Sequence, residues 1–377
     1  MDTSVWREHG IPLVAGAPDG PLRGETVAVK DLYAVAGFAV GVGNPTFLTE
    51  AAVEARSAPA VQRLLDAGAD IAGIVQTDEF AYSIQGANPH YGTPPNPAVP
   101  GGLPGGSSSG PASAVALGEA SVGLGTDTAG SVRVPASYQG LWGLRTTHGA
   151  VSPEGIWPLA PTFDAAGWMT RDAATLRRVV EVMLGPSPVA PGGFVLDPGL
   201  VALADLAVRQ AFAEAIAGLE YEQVDLGDPT ALFETFRVTQ SAEAWRSDGD
   251  WVSAHPDAVG PGTRDRFAFA ASVTADQEAE ARAALMTHRE RLDAVLGDRV
   301  LLLPSASSAA PAVDATAEVL DAVRGATLRL TAVAGITGRP GLSVPALHVP
   351  EPVGLCLVGP RGSDLALLAL AAHLPAG

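Results

Sequence analysis

Residues 105–135 read GGSSSGPASAVALGEASVGLGTDTAGSVRVP, and the interpretation of the whole chain starts from this stretch. Small residues that tolerate a helix fill positions 111–120, and glycine-rich segments lie on either side of them. Glycine weakens regular strands and allows two backbones to approach closely. We therefore expect a helix at 111–120 and an irregular, closely packed loop at 121–135. Such a loop, rich in hydroxyl side chains, is typical of a functional site.

The hydroxyl groups of this stretch fall into two sets. The first set stands between glycines and consists of Ser107, Ser108 and Ser109. The second is a turn of small residues made of Thr128, Ala129, Gly130 and Ser131. A tight turn ahead of a nucleophile can direct successive backbone N–H groups at the oxyanion that develops during acyl transfer. This pattern makes Ser131 a candidate nucleophile with its own oxyanion turn.

A single lysine lies upstream, at the end of the strand-like run TVAVK, 26–30. The chain has 23 basic residues, and every one except Lys30 is arginine. Arginine serves solvation and anion binding, whereas only lysine supplies an amine that can lose its proton in a protein. In open α/β sheets functional groups gather at the carboxyl ends of strands, so this amine and the serines could meet. The alternative is that one lysine survived by chance.

Outside this stretch the chain alternates between strand-like and helix-like segments. The strand-like runs are 26–30, 71–75, 300–304, 342–345 and 353–359, and the helical runs are 58–67, 274–296 and 364–374. This alternation indicates an α/β sheet in one domain that spans 1–377. Residues 186–299 are richer in charge, and we expect them to form a helical, variable cover over the sheet. Ser363 stands where it could cap the final helix.

Composition narrows the class of protein. Of the 377 residues 47% are hydrophobic, which is enough for a large core, and the net charge of −18 disfavours a nucleic-acid partner. The single cysteine, Cys356, cannot form an intrachain disulfide, and no run approaches the ~18 apolar residues of a membrane span. We expect a cytoplasmic protein that does not enter membranes.

These motifs together resemble the amidase signature family. The resemblance rests on VAVKD, GGSSSG and GTDTAGSVRVP, and it extends over TDEFAYSIQGANPHYGTPPNP, GLRTTHGAVSPEG, FDAAGW, ITGRPGLSVPA and GLCLVGPRGSD. The spacing of the lysine and the two serine motifs is similar to that of short amidases such as plant indole-3-acetamide hydrolases. The family fold that this implies is a large mixed β-sheet covered by helices on both faces.

The resemblance also implies a mechanism. Ser131 would attack the amide carbonyl, Ser107 would relay the proton, and Lys30 would be the base, which must be neutral to accept it. Thr128, Ala129 and Gly130 would supply oxyanion N–H groups beside Ser131. A cis peptide bond would precede Ser107. Asp127 and Arg133 would form a structural ion pair, and Asp31 would face away from the lysine. No metal or other cofactor is implied.

The sequence says less about the substrate than about the mechanism. The resemblance places Tyr82, Gln85, Tyr138 and Trp157 beside the pocket, and their aromatic character favours a small aryl or indolyl primary amide. The alternative is that Tyr82 and Trp157 belong to the core. We expect a monomer or homodimer acting on a small-molecule amide.

The sequence also permits four other interpretations. GSSSG at 106–110 matches the nucleophile elbow of α/β-hydrolases, with Ser108 as nucleophile, but the prolines before it argue against the strand that an elbow requires. His90 and His148 could serve a serine, yet each is better explained as a loop or pocket-wall residue. The chain could also be an A-type glutaminase subunit of a tRNA-dependent amidotransferase, but its short length and its acidity disfavour that assignment. The remaining alternative is a non-catalytic relative of the family.

Overall fold

A computed structural model describes residues 2–372 and residue 374 of the chain. The strands are β1 (Trp6–Val14), β2 (Thr26–Lys30), β3 (Asp70–Val75), β4 (Val122–Asp127), β5 (Trp142–Arg145), β6 (Ala165–Thr170), β7 (Phe194–Leu196), β8 (Tyr221–Gln223), β9 (Val300–Pro304), β10 (Gly341–His348) and β11 (Pro352–Val358). The helices are α1 (Pro45–Glu50), α2 (Pro59–Asp66), α3 (Ser109–Ala116), α4 (Arg133–Tyr138), α5 (Ala173–Leu184), α6 (Pro198–Val201), α7 (Leu206–Ala215), α8 (Pro229–Ala254), α9 (Pro261–Ser272), α10 (Ala275–Leu296), α11 (Ala317–Thr337) and α12 (Asp364–Ala371).

All these strands join one mixed sheet in the order β1-β3-β2-β4-β6-β5-β10-β11-β9-β7-β8. Strand β2 pairs in parallel with β3 and β4, and β4 pairs antiparallel with β6. Helices cover both faces, and the central strands are accordingly buried along nearly their whole length. The expected α/β/α architecture is confirmed. Because β2 and β4 are neighbours, the residues that end them lie side by side.

Strand β4 corrects one expectation from the sequence. Residues 122–127 were expected to be irregular, yet they form a fully buried strand in the middle of the sheet. Its glycines explain the difference, because helix α3 packs too closely for side chains: a Cβ on Gly123 would lie 2.7 Å from the Pro111 carbonyl oxygen. A Cβ on Gly125 would lie 2.5 Å from Ser108 Oγ.

The segment 186–299 also differs from a purely helical cover. It contributes the long helices α8, α9 and α10, but it also supplies β7 and β8, which extend the sheet at one edge by parallel pairing. These strands are three residues long, too short to produce a clear alternating pattern in the sequence.

The final helix begins where the sequence indicated but is capped differently. Ser363 occupies the N-cap position, yet its hydroxyl donates to the Pro360 carbonyl 2.7 Å away. Ser187 Oγ instead accepts the N–H groups of Leu365 and Ala366, at 2.8 and 3.0 Å. The predicted last turn of this helix includes His373, which lies outside the described residues. No helix among the described residues has both the length and the apolar character needed to cross a membrane.

Candidate active site

The Lys30 side chain ends between two hydroxyl groups. Strand β2 carries Lys30 at its last position, where its Nζ lies 2.8 Å from Ser107 Oγ and 2.9 Å from Thr126 Oγ1. The lysine is fully buried, and no described carboxylate lies within ion-pair distance of its amine. The structure therefore brings the lysine and the first serine motif together. Thr126 is a third member that the sequence analysis did not single out.

Burial changes the protonation of this amine. Removal from water lowers the pKa of Lys30 to about 7, although the charges of Asp78, Asp164 and Asp127 act in the opposite direction. The amine is thus substantially neutral near neutral pH, and a neutral amine can accept a proton from a hydroxyl.

Asp31, the residue after the lysine, faces away from it as expected. Its carboxylate lies 3.0 Å from Arg7 Nη1 and accepts the Gly41 N–H at 2.8 Å. This expectation is confirmed, and it explains how a carboxylate next in sequence leaves the lysine without a counter-ion.

Ser107 is held by its own backbone. The peptide bond between Gly106 and Ser107 is cis, as the resemblance implied. The Ser107 carbonyl accepts the Asp78 N–H at 3.1 Å and the Thr77 hydroxyl at 2.9 Å. A Cβ on Gly106 would lie 2.4 Å from Asp78 Oδ2, so only glycine fits there. These contacts fix where the Ser107 hydroxyl points.

Ser131 follows the turn after β4 and opens onto a cavity. Gly130 has φ = +114°, a conformation that favours glycine, and its N–H donates to Asp127 Oδ1 at 2.9 Å. Gly130 therefore has no free N–H for an oxyanion, in contrast to the sequence-based expectation. The N–H groups of Thr128, Ala129 and Ser131 have no acceptor among the described residues and stay available.

A buried ion cluster fixes this turn. Asp127 lies 2.8 Å from Arg133 Nη2 and 3.2 Å from Arg145 Nη1, with all three side chains almost completely buried. Burial works to raise the pKa of Asp127, but the two guanidinium groups outweigh it and hold the pKa well below its usual range. The structural pair expected between Asp127 and Arg133 is confirmed, and Arg145 is an additional member to which the sequence analysis gave no role.

Ser108 lies in a different environment from the other two serines. Its hydroxyl donates to the Thr126 carbonyl at 3.2 Å and so faces strand β4. No strand precedes it, because residues 93–108 are irregular apart from an isolated bridge at Gly102. The structure therefore lacks the strand–turn–helix geometry of a nucleophile elbow.

The two histidines considered as bases lie elsewhere. His90 Nε2 is 2.7 Å from Glu79 Oε1, and His148 Nε2 is 2.9 Å from the Pro161 carbonyl oxygen. Neither makes a hydrogen bond to Ser107, Ser108 or Ser131, which fits the interpretation of both as loop or pocket-wall residues. Within the described residues, no group of three or more His, Cys, Asp or Glu side chains is placed to hold a metal.

The cavity at Ser131 has a volume of about 130 Å³. Thr128 and Ala129, from the turn after β4, line it together with Tyr82, whose hydroxyl lies 2.8 Å from Ser241 Oγ. The other side chains that line it include Phe233, Arg237, Arg266, Phe269, Arg324 and Leu328. Of the predicted wall residues, Tyr82 is therefore the one in contact with this space.

The remaining predicted wall residues line other spaces. Trp157 donates to Asp248 Oδ1 at 2.9 Å and borders a second, mainly apolar cavity of about 330 Å³. Thr128 and Leu159 line both cavities, so the two are neighbours. Gln85 and Tyr138 lie at a small separate gap beside Leu103. Sequence motifs placed these residues near the site but could not show which side of the loop each would face.

Comparison with known proteins agrees with this geometry. The family model described as Amidase matches residues 10–195. The chain is 35% identical to "Amidase 1" of Arabidopsis thaliana, over 94% of this chain and 93% of the plant protein. It is 33% identical to "2-amino-5-chloromuconic acid deaminase" of Comamonas testosteroni, over 95% of this chain and 82% of that protein. A solved structure titled "Crystal structure of amidase" superimposes with a TM-score of 0.84 at 30% identity, covering 94% of this chain and 86% of that one.

Fold and sequence together define a hydrolase of amide C–N bonds. The chain belongs to the amidase family.

Proposed function

We propose that this amidase converts a small primary amide into its carboxylic acid and ammonia through an acyl-enzyme on Ser131. Lys30 is the base, and Ser107 passes the proton between them. The observation that carries the proposal is the buried Lys30 amine, 2.8 Å from the Ser107 hydroxyl and with a pKa lowered by burial to about 7. A charged amine in this position could not take up the proton of a serine.

The reaction consumes only the amide and water. Ser131 Oγ bonds to the amide carbon while its proton passes through Ser107 to Lys30, and free N–H groups of the turn receive the oxyanion. The C–N bond then breaks, and the proton returns to the nitrogen, which leaves as ammonia. Water next bonds to the acyl carbon and gives one proton through Ser107 to Lys30. The ester bond to Ser131 breaks, that proton returns to Ser131 Oγ, and the acid departs.

The acyl group of the substrate is a separate question. The sequence-based expectation of an aryl or indolyl group stays a prediction. The aromatic rings of Tyr82, Phe233 and Phe269 line the cavity, but Arg237, Arg266 and Arg324 line it too. The Comamonas testosteroni relative is instead named for an acid. We also expect a cytoplasmic monomer or homodimer, on the strength of the acidic composition and the single cysteine.

The experiment that tests the mechanism is intact mass measurement after rapid quenching with a hydrolysed amide. We expect an acyl adduct that maps to Ser131 and that hydroxylamine removes. Ser131→Ala and Ser107→Ala should each lower amide hydrolysis by several powers of ten, because nucleophile and relay act as one unit. Ser108→Ala is the matched control, since that hydroxyl faces β4, and its effect should be much milder.

Two results would contradict the proposal. An active Ser131→Ala enzyme together with an inactive Ser108→Ala enzyme would make Ser108 the nucleophile. Activity that needs glutamine, ATP or a second protein would instead indicate an amidotransferase subunit.

A further inference from the structure

Three arginine side chains line the cavity that contains Ser131. They come from three different helices: Arg237 from α8, Arg266 from α9 and Arg324 from α11. The chain as a whole carries a net charge of −18, so positive charge is concentrated here against the general balance. No sequence motif drew attention to these residues, because single arginines on long charged helices look like ordinary solvated positions.

Two of these arginines have no partner in the described part of the chain. Neither Arg266 nor Arg324 forms an ion pair or a side-chain hydrogen bond there, and the Nε atom of each is buried without an acceptor. Burial lowers the pKa of Arg324 to about 10, and the neighbouring Arg266 charge acts in the same direction. Burial also lowers the pKa of Arg266, against the attraction of Asp78, Asp321 and Asp265. Asp321 attracts Arg324 as well, but none of these carboxylates lies within ion-pair distance. The two guanidinium groups therefore repel each other in a half-buried space.

Arg237 differs from this pair. Its guanidinium lies 2.7 Å from Glu234 Oε2 and stacks over the Phe269 ring, 3.9 Å from the ring centroid. Its charge is already balanced, so the unmet demand for an anion is confined to Arg266 and Arg324.

Two unpaired guanidinium groups at one cavity are costly to the folded protein unless an anion joins them. A planar carboxylate matches the guanidinium fork through paired, charge-assisted hydrogen bonds. We infer that the substrate is a small amide that also carries a carboxylate, and that Arg266 and Arg324 bind this carboxylate while Ser131 attacks the amide. This inference rests on the proposed function for the role of Ser131.

The size of the cavity narrows the class further. About 130 Å³ is shared by Ser131 and both guanidinium groups, so one short molecule must reach from the nucleophile to the arginines. Monoamides of short dicarboxylic acids have this form, with the amide at one end and the carboxylate at the other. A neutral amide of equal length leaves the two charges unpaired.

The first experiment compares each anionic amide with its neutral analogue. Malonamate, succinamate and glutaramate are assayed for ammonia release beside propionamide, butyramide and valeramide, in which a methyl group replaces the carboxylate. For the best pair, kcat/KM should favour the anionic amide, and Arg324→Gln should lower that preference about 30-fold, as expected for lost hydrogen bonds to a charged group. Arg266→Gln should act in the same direction.

The matched control is Arg246→Gln, which makes the same change of charge on helix α8. Arg246 is half exposed, pairs with Glu278 at 2.7 Å and does not line the cavity. The Arg246→Gln enzyme should show the same ratio of kcat/KM between the anionic and the neutral amide as the unmodified enzyme. Arg324→Gln should also keep or raise the melting temperature, because it removes an unpaired charge. A marked fall in melting temperature would show that Arg324 supports the fold, which would overturn the inference.

A binding measurement separates this inference from the mechanism. With Ser131→Ala protein, succinamate should raise the melting temperature more than butyramide does, and Arg324→Gln should abolish the difference. If this difference in melting temperature is found but the unmodified enzyme hydrolyses none of the amides, the proposed mechanism fails and the carboxylate site stands. Equal protection by succinamate and butyramide would overturn the carboxylate site. Inorganic phosphate that protects as well as succinamate does would also overturn it. Faster hydrolysis of neutral or aryl amides than of the anionic amides would overturn it as well.

Discussion

The Lys30 amine lies between the hydroxyls of Ser107 and Thr126, without a counter-ion within ion-pair distance among the described residues. Its charge is therefore expensive in the folded state, and burial lowers its pKa from 10.5 to about 7. This amine loses its proton at a lower pH in the folded protein than in the unfolded chain. Its contribution to stability consequently increases as the pH rises from about 7 towards 10.5.

Substitution of this lysine gives a prediction at the residue scale. Lys30→Arg keeps the charge but supplies a group that does not become neutral, so amide hydrolysis should fall by several powers of ten. In the unmodified enzyme, log kcat/KM should rise with pH and level off above about 7, as the amine loses its proton. Ammonia release measured from pH 5 to pH 9 checks both statements.

The control for this prediction is Lys30→Met, which removes the charge and retains a long side chain. It should also be inactive, but it should fold and should not lose stability on lowering the pH to 7, since the buried charge is gone. A largely active Lys30→Arg enzyme would show that the side chain only positions an anion.

Among the structural elements, strand β4 depends most closely on glycine. It runs beside β2 and leads directly to the Ser131 turn, while α3 packs against it. Gly125 provides the space for Ser108, whose Oγ would lie 2.5 Å from an added Cβ. The same glycine accepts the Tyr33 hydroxyl at its carbonyl, 2.7 Å away. The element thus holds the lysine strand and the serine motif at a fixed separation.

Gly125→Ala tests this role of β4. The new methyl group would push Ser108 away from the strand, and overpacking of this kind costs about 1–3 kcal/mol of unfolding free energy. Because Thr126 and Ser107 are neighbours of the displaced residues, kcat should fall as well. Chemical denaturation and amide hydrolysis measure the two effects.

Gly193→Ala is the matched control, because no atom lies within 4 Å of a Cβ built there. Its stability and activity should stay close to those of the unmodified protein. A Gly125→Ala enzyme of normal stability would mean that α3 can move away from β4 at little cost.

The helices and strands differ in how well the sequence predicts them. Short apolar runs identified β2 and β9 with their exact bounds, and Thr274 and Gln277 form the capping box that starts the predicted helix α10. Strand β4 was missed because glycine has a low strand propensity, and only its tertiary partner α3 explains its presence. Strands β7 and β8 were missed because a run of three residues is too short to show a period of two.

The residues of the candidate site also fall into those that the sequence identified and those that it missed. Lys30, Ser107 and Ser131 stand in short local motifs, so the sequence could identify them. Arg266 and Arg324 lie on separate helices, α9 and α11, and become neighbours only when both helices pack against α8. Their importance arises from a missing partner, which is a property of the folded molecule alone.

At the scale of the whole molecule, charge balance is the dominant feature. A net charge of −18 produces repulsion over the surface, and salt shortens its range from about 30 Å at 0.01 M to about 10 Å at 0.1 M. We therefore predict that the melting temperature at pH 7.5 rises on the order of 2 °C over this range of NaCl. At pH 5, close to the sequence pI of 4.7, the same salt series should have little effect. A melting temperature that does not change with salt at pH 7.5 would contradict this prediction.

The buried position of the only lysine has a consequence for covalent chemistry on this protein. Every other member of the Lys and Arg set is an arginine, and Lys30 is fully buried, so the surface carries no lysine amine. A reagent or enzyme that acylates lysine side chains has one target in this sequence, the amine between Ser107 and Thr126. Acylation would convert that nitrogen into an amide, which does not accept a proton. For this chain, lysine acylation and loss of the proposed catalytic base would be the same event.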